Sequence, residues 1–436
     1  MSKITSLSVR DFGAWLSEQG LERGFIINLD NEISLSSPKL ISLSKEITSS
    51  PDYQDHEGIF FHYQKETESL FLAAIHRTVR GPGQGGTRFR QYPSIGNLLT
   101  DAMRLSKGMT DKNSLAKINW GGGKSIIHSE HNPKTVSKEI REKILIGFGQ
   151  FIASLNGAYI CAEDMNISPE DLGVIHSVNR FTNCVPKAIG GSSNPSFLTA
   201  RGVFAGIAAG LQFLDGKNDP QNIDLSGKHI LIQGAGNVGF NVIKHIIDHG
   251  GKVSVFEPYQ PAVERLMDTF ENINIIQNAD DIYDMEADVF SPNAIGAILN
   301  DETIPRLKVK MIAGGANNQL KDPVKHAKMV QERGITYVPD FLINRMGIVN
   351  CCDEHYGYLP EAIEERLAEI HPEVVELLQL SKRENTSPQF KAIEMATEFS
   401  FVPHPILGHR GAKIFRYLMK NPESIWFLKN DELALV

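Results

Sequence analysis

Two lysines stand twelve positions apart (124 − 112) in the run Gly108-Met-Thr-Asp-Lys-Asn-Ser-Leu-Ala-Lys-Ile-Asn-Trp-Gly-Gly-Gly-Lys124, and the second closes three consecutive glycines. Glycine lets the backbone adopt positive φ and lets a ligand approach closely. Gly121–Gly123 therefore predicts a tight loop presenting the Lys124 ammonium to a bound molecule, with Ser125-Ile126-Ile127 continuing as a strand. Gly123-Lys124-Ser125 also closes a phosphate-binding P-loop. That motif needs a glycine where Ile118 stands and a helix where Ile126-Ile127 argues for a strand. An isolated Gly-Lys pair is more often a surface turn, so the rest of the chain decides its meaning.

A second constellation is Gly234-Ala-Gly236-Asn237-Val238-Gly239, placed after a predicted strand at 229–233 and before a predicted helix at 240–249. This is the context that gives a G-x-G-x-x-G run its force. Gly234 allows the tight turn, Gly236 the approach of a pyrophosphate, and Gly239 the packing of helix on strand. The phosphates then meet the positive helix N-terminus. Glu257 ends the next strand, 23 positions after Gly234 (257 − 234), where an acid accepts the ribose hydroxyls and repels a 2′-phosphate. NAD is therefore expected rather than NADP.

These groups need elements to position them. Residues 58–64 and 69–76 read as two strands joined by a polar turn, followed by a Gly/Pro-rich loop over 80–88. Helical spacing covers 95–108 and again 135–155, and Ala158-Tyr-Ile-Cys161 is a short strand running into Glu163-Asp164. Polar residues 219–228 precede the dinucleotide unit, and the last stretch is mainly helical, notably 360–382. Alternating strands and helices predict an α/β fold of two domains. Residues 1–195 are expected to form the first domain and 196–345 a Rossmann-type NAD-binding domain, with 346–436 mainly helical.

At 436 residues the chain exceeds what one core usually supports. Hydrophobic residues at 41% and charged residues at 22% are ordinary for a soluble protein. A net charge of −8 without basic runs gives no reason to expect nucleic acid. The N-terminus has no apolar core of a signal peptide, and no stretch approaches the ~18 consecutive apolar residues of a membrane span. Cys161, Cys184, Cys351 and Cys352 show no zinc spacing, and adjacent Cys351-Cys352 are not expected to bridge. No metal is expected, and a reducing cytoplasm fits best.

In sequence pattern the chain resembles the glutamate/leucine/phenylalanine/valine dehydrogenase family, the branched-chain and aromatic members more than glutamate dehydrogenase. The motifs that carry this are Gly81-Pro-Gly-Gln-Gly-Gly-Thr-Arg88, Gly108-Met-Thr-Asp-Lys-Asn113, Gly121-Gly-Gly-Lys124, Ala162-Glu-Asp164, Pro195-Ser-Phe-Leu-Thr-Ala-Arg-Gly202, the dinucleotide fingerprint, Leu299–Pro305 and Gly314-Gly-Ala-Asn-Asn-Gln-Leu320. They run colinearly from about residue 75 to 350. The resemblance implies oxidative deamination of an L-amino acid to a 2-oxo acid and ammonia, or the reverse, with NAD accepting the Cα hydride in a homo-oligomer. It also implies that residues 1–195 are the substrate and oligomerisation domain, that the helices of 346–436 return toward it, and that ligands sit in a cleft between the domains. By motif position Lys112 holds the α-carboxylate. Lys124, neutral at rest through burial and the cation of Lys112, activates water, and Asp164 shuttles protons to and from nitrogen. Gln84, Gly85, Gly86 and Asn344 are implied on the substrate. Thr199, Asn237, Val238, Asn293 and Asn317 join the glycines and Glu257 on the cofactor.

Taken alone, Asp164 reads as a strand-end cap, Thr199 as a helix N-cap, and Asn317-Asn318 as turn residues. The chain also departs from the family. Gln84 replaces a leucine usual in members for aliphatic substrates, and Arg345-Met346 stands where Ala-Gly is usual. Either an amide and a guanidinium select a polar or acidic side chain, so that plain leucine or valine is not the substrate, or Arg345 turns away into an interdomain salt bridge. The segment Val402–Arg410, with His404 and His409, has no assigned role, although Pro-flanked histidines are more often structural. Three other readings stand beside the dehydrogenase. They are a P-loop nucleotidase, a catalytically silent NAD-binding protein, and a family scaffold turned to C–C or C–N bond formation or imine reduction.

Overall fold

The computed structural model describes residues 3–357 and 359–421 and divides into two compact units. One runs to Asn194 and takes up the chain again from Thr397; the other is Pro195–Ala396.

The first unit is built on seven strands: β1 (Arg23–Leu29), β2 (Glu32–Leu35), β3 (Gly58–Gln64), β4 (Ser69–Arg77), β5 (Gly83–Phe89), β6 (Gly121–Ser129) and β7 (Tyr159–Ala162). Their order is β2-β1-β3-β4-β6-β5-β7. Pairings from β2 to β6 are antiparallel, whereas β5 runs parallel to both β6 and β7. Strands β4 and β6 are buried along almost their whole length, which explains runs of apolar residues without alternation. On one face, Phe12 of helix Val9–Glu18 and Leu98, Leu99 and Met103 of helix Ile95–Leu115 share a core with Leu70, Leu72 and Ile126. On the other, Phe148 and Phe151 of helix Lys138–Ala153 pack against Phe71.

The triple glycine is not a loop. It forms the start of β6, and none of the three glycines has positive φ. Their reason is close packing: a Cβ at Gly122 would lie 2.1 Å from Thr110 Oγ1, so helix Ile95–Leu115 rests directly on the strand. The loop expected over 80–88 is likewise mostly β5. Glycines at strand positions read as turn signals in the sequence because nothing local reveals what lies across them.

The second unit carries six parallel strands, β8 (His229–Gln233), β9 (Lys252–Phe256), β10 (Asn274–Ile275), β11 (Glu286–Pro292), β12 (Lys308–Ile312) and β13 (Thr336–Tyr337). Their order, β10-β9-β8-β11-β12-β13, reverses direction between β8 and β11, as in a doubly wound Rossmann sheet. Helix Ser196–Leu214 is apolar and long enough to cross a membrane by length and composition, yet 56% of its most apolar window is buried inside the protein. Gly202, Gly206 and Gly210 form its close-packed face: a Cβ at Gly206 would lie 2.3 Å from Ile343 Cγ2, and one at Gly210 would lie 2.2 Å from Met311 Sδ.

The same helix explains a boundary that differs from expectation. Residues 346–396 do not leave with the C-terminal segment; they stay in the second unit. Helices Met346–Asp353 and Ile370–Glu384 pack on Ser196–Leu214, with Gly202 beside Met346 and Ile370, and His371 hydrogen-bonded to Gln212. Only from Thr397 does the chain rejoin the first unit. There Arg80 stacks on Phe399 and donates to the Val402 carbonyl, Arg77 stacks on Phe401, and His409 hydrogen-bonds Thr78. His404 Nδ1 accepts the amides of Ile406 and Leu407. Both histidines thus have local structural partners.

Candidate active site

In the first unit, β5 and β6 run side by side with Thr87 opposite Ser125. Alternation then turns Gln84, Gly86 and Arg88 of β5, with Gly122 and Lys124 of β6, toward helix Ile95–Leu115. Beyond the end of β7 the chain turns back over Gly86, where a Cβ would lie 2.7 Å from Asp164 Cβ and 2.5 Å from the Glu163 carbonyl oxygen. Gly86 is therefore what lets Asp164 reach the sheet. Asp164 Oδ2 sits 2.6 Å from Lys124 Nζ and 3.0 Å from Arg88 Nε. The Arg88 guanidinium also reaches Asp101 Oδ2 at 2.9 Å, and the Tyr92 hydroxyl donates to the same oxygen.

Lys124 is 5% exposed, so its surroundings set its proton affinity. Burial pushes its pKa below the ordinary amine value; Asp164 opposes this and Arg88 reinforces it. Burial acts to raise the pKa of Asp164, but the cations of Lys124 and Arg88 outweigh it and hold the carboxyl below the usual range. Glu163 goes the other way, pushed up to about 7 by burial, then by Glu170 and Asp164, and its Oε2 is buried without a hydrogen-bond partner. The cation that disfavours charge on Lys124 is Arg88, where the sequence points to Lys112.

Lys112 lies half-buried in the last turn of helix Ile95–Leu115. Its neighbour Asn113 ties that turn to β6 by donating to the Gly121 carbonyl at 2.6 Å. Gln84 is 3% exposed and faces Asn113, with a marginal 3.5 Å between Asn113 Nδ2 and its Oε1. Gly85 points away from this group, and a Cβ on it would run into the Gly123 carbonyl oxygen. Arg88, Asp101 and Tyr92 were missed in the sequence. Arg88 closes the Gly81–Arg88 motif and could have been found there; Asp101 and Tyr92 gave no signal.

In the second unit the carboxyl ends of β8, β11 and β12 gather the other expected residues. Gly234 has φ of +92°, and a Cβ at Gly239 would lie 2.0 Å from the Gly234 carbonyl oxygen. A Cβ at Gly236 would meet no atom within 4 Å, so its lack of a side chain leaves open space that the protein itself does not fill. The helix Asn237–Asp248 begins directly there, three residues earlier than expected, without a side chain capping its first amides. Glu257 accepts the Ala235 amide at 2.7 Å and the Tyr259 amide at 2.9 Å, which fixes its carboxylate beside the fingerprint turn. Asn293 receives the Gly315 amide at 2.9 Å, and a Cβ at Gly315 would come within 3.1 Å of Val238. Asn344 donates to Asn317 at 2.8 Å and to the Gly315 carbonyl at 3.2 Å, so the structure groups it with Asn317. Thr199 lies inside helix Ser196–Leu214 rather than at its cap, and its hydroxyl donates to the Pro195 carbonyl.

Arg345 requires a correction. Its side chain is 0% exposed within the second unit, ion-paired to Glu373 of helix Ile370–Glu384, with Glu369 at 3.9 Å. A guanidinium in an apolar interior needs a carboxylate, and helix Ile370–Glu384 supplies one. Among the described residues no group of three or more His, Cys, Asp or Glu is arranged to hold a metal ion.

Residues 67–180 match the Glu/Leu/Phe/Val dehydrogenase dimerisation domain, and residues 256–396 match the glutamate/leucine/phenylalanine/valine dehydrogenase domain. The chain is 38% identical over 344 residues to leucine dehydrogenase of Geobacillus stearothermophilus, covering 79% of this chain and 90% of that one. It is 36% identical to phenylalanine dehydrogenase of Lysinibacillus sphaericus, covering 74% of this chain and 83% of that one. The crystal structure of L-tryptophan dehydrogenase from Nostoc punctiforme superposes with a TM-score of 0.66 at 31% identity, covering 83% of this chain and 98% of that one. The two-lysine segment, the aspartate beyond β7 and the Rossmann sheet thus belong to one ancestry: this chain is a member of the Glu/Leu/Phe/Val dehydrogenase family of amino-acid dehydrogenases.

Proposed function

We propose that the protein catalyses NAD-dependent oxidative deamination of an L-amino acid to a 2-oxo acid and ammonia, and the reverse reductive amination. The observation that carries this reading is the buried Lys124 with its amine on Asp164 Oδ2, the same oxygen that Arg88 reaches. Bound NAD supplies the hydride acceptor. Lys112 holds the substrate carboxylate. Lys124, low in proton affinity because burial disfavours its charge, takes the proton from water attacking the imine carbon. Asp164 carries protons to and from the departing nitrogen. Gly234, Gly236 and Gly239 with the open helix N-terminus hold the pyrophosphate, Glu257 the ribose hydroxyls, and Asn293, Asn317 and Thr199 the nicotinamide end. Assembly as a homo-oligomer through the first unit is supported by the match of residues 67–180 to a dimerisation domain.

Gln84 remains the polar departure near Lys112 once Arg345 is accounted for, and it supports a substrate other than plain leucine or valine. An NADH-linked screen of the proteinogenic amino acids, and of 2-oxo acids with ammonia, tests both statements. Turnover of at least one amino acid, abolished in Lys124→Met, is expected. No change in NADH with any of them refutes the activity, and leucine turned over as well as every polar or aromatic candidate refutes the specificity.

Cofactor choice follows from Glu257. With the carboxylate fixed beside the turn, a 2′-phosphate meets like charge, so kcat/KM with NAD should exceed that with NADP by at least about tenfold. Equal efficiency with both would remove Glu257 from this role.

A further inference from the structure

Asp164 has two cations on one oxygen. Lys124 Nζ and Arg88 Nε both approach Oδ2, at 2.6 and 3.0 Å, while no group among the described residues bonds Oδ1 and the side chain keeps 28% of its surface exposed. Arg88 is held on its far side by Asp101, which Tyr92 and the helix Ile95–Leu115 keep in place. Two acids thus share one guanidinium that never loses its charge. If Lys124 were the sole counterion of Asp164, neutralising the amine would strand a carboxylate against a buried strand, and the pair would resist it.

We propose that Arg88 is a positioning residue of the proton-transfer site: it is the permanent counterion of Asp164, pinning Oδ2 so that Oδ1 faces outward and releasing Lys124 to give up its proton. This rests on the reading of Lys124 as the base. Arg88 touches neither water nor substrate in this role; it acts through Asp164 and through its field at Lys124. Among the described residues, the charged and titratable groups acting on the Lys124–Asp164 pair are Arg88 from β5, Asp101 from helix Ile95–Leu115, Tyr159 from β7, and Glu163 beside Asp164 in the chain, with Tyr92 acting through Asp101. The helix also carries Lys112.

The measurement is the pH dependence of kcat/KM for the amino acid turned over fastest in the screen. Neutral Lys124 is the active form in deamination, so activity rises with pH along the acid limb. Arg88→Gln removes a cation that disfavours charge on Lys124, so the limb should move to higher pH by about one unit, a tenfold loss at fixed pH on that limb. Arg88→Lys keeps the charge and should leave the limb in place while losing the fork to Asp101. Asp101→Asn removes an acid that favours charge on Lys124, and should move the limb the opposite way, to lower pH. That variant carries the test if Arg88→Gln is not recovered folded. Limbs that stay put in both Arg88→Gln and Asp101→Asn, whatever happens to kcat, overturn the proposal and leave Arg88 structural. Full activity in Lys124→Met would instead refute the base assignment itself.

Discussion

Lys124→Met should lower kcat for amino-acid oxidation by about 10²–10⁴-fold, the range a positioned general base contributes. The expectation is sharp because the substitution is mild in every other respect. Methionine fills much of the same volume, and the carboxylate left behind is not orphaned: Asp164 Oδ2 keeps Arg88 at 3.0 Å. Removing an amine whose charge is disfavoured by burial also removes a cost. Thermal unfolding should therefore stay close to that of the parent, and KM should move much less than kcat because Lys112, not Lys124, holds the carboxylate. A variant that keeps more than a tenth of the activity would show that another group activates water.

The second large effect concerns stability. Arg345→Met should destabilise the second unit by about 3–5 kcal/mol, because it takes the guanidinium away from the partly buried Glu373 carboxylate. For a unit of this size that corresponds to a fall in melting temperature of roughly 6–20 °C. Removing both charges, in Arg345→Met with Glu373→Met, should recover most of the loss, since apolar side chains can replace a buried pair at little cost. Calorimetry of the parent and the two variants decides this. The relative rates with different amino acids should not change in the single variant. A parent-like melting temperature combined with altered substrate preference would return Arg345 to the substrate site.

Arg345 also shows where sequence reasoning stops. An arginine at a position usually held by a small residue signals a departure, but its meaning depends on Glu373, 28 positions away (373 − 345), on a helix whose direction no local pattern encodes. Arg88 is the converse case. It stood in a motif that was visible, yet its task appeared only when β7 brought Asp164 back over Gly86 and the helix placed Asp101 on its other side. The glycines of β6 were misread for a related reason. Glycine marks either positive φ or a close neighbour, and only the position of Thr110 across Gly122 shows that here it is the neighbour.

The sequence by itself determined strands β3, β4, β7, β8 and β9 and several helices, through apolar runs and spacing, and the dinucleotide turn, through three glycines, a preceding strand and a following acid. It also marked out Lys112 and Lys124, whereas Asp164 stood out only through the family resemblance. These are local or short-range signals, and chemistry that needs a particular residue type writes them directly into the chain. The tertiary structure decided the rest: which oxygen Lys124 meets, that Arg88 shares it, that residues 346–396 stay with the Rossmann unit, and that Arg345 is buried against Glu373. Each depends on packing between segments far apart in sequence, where the energy resides in the pair and neither residue alone declares it.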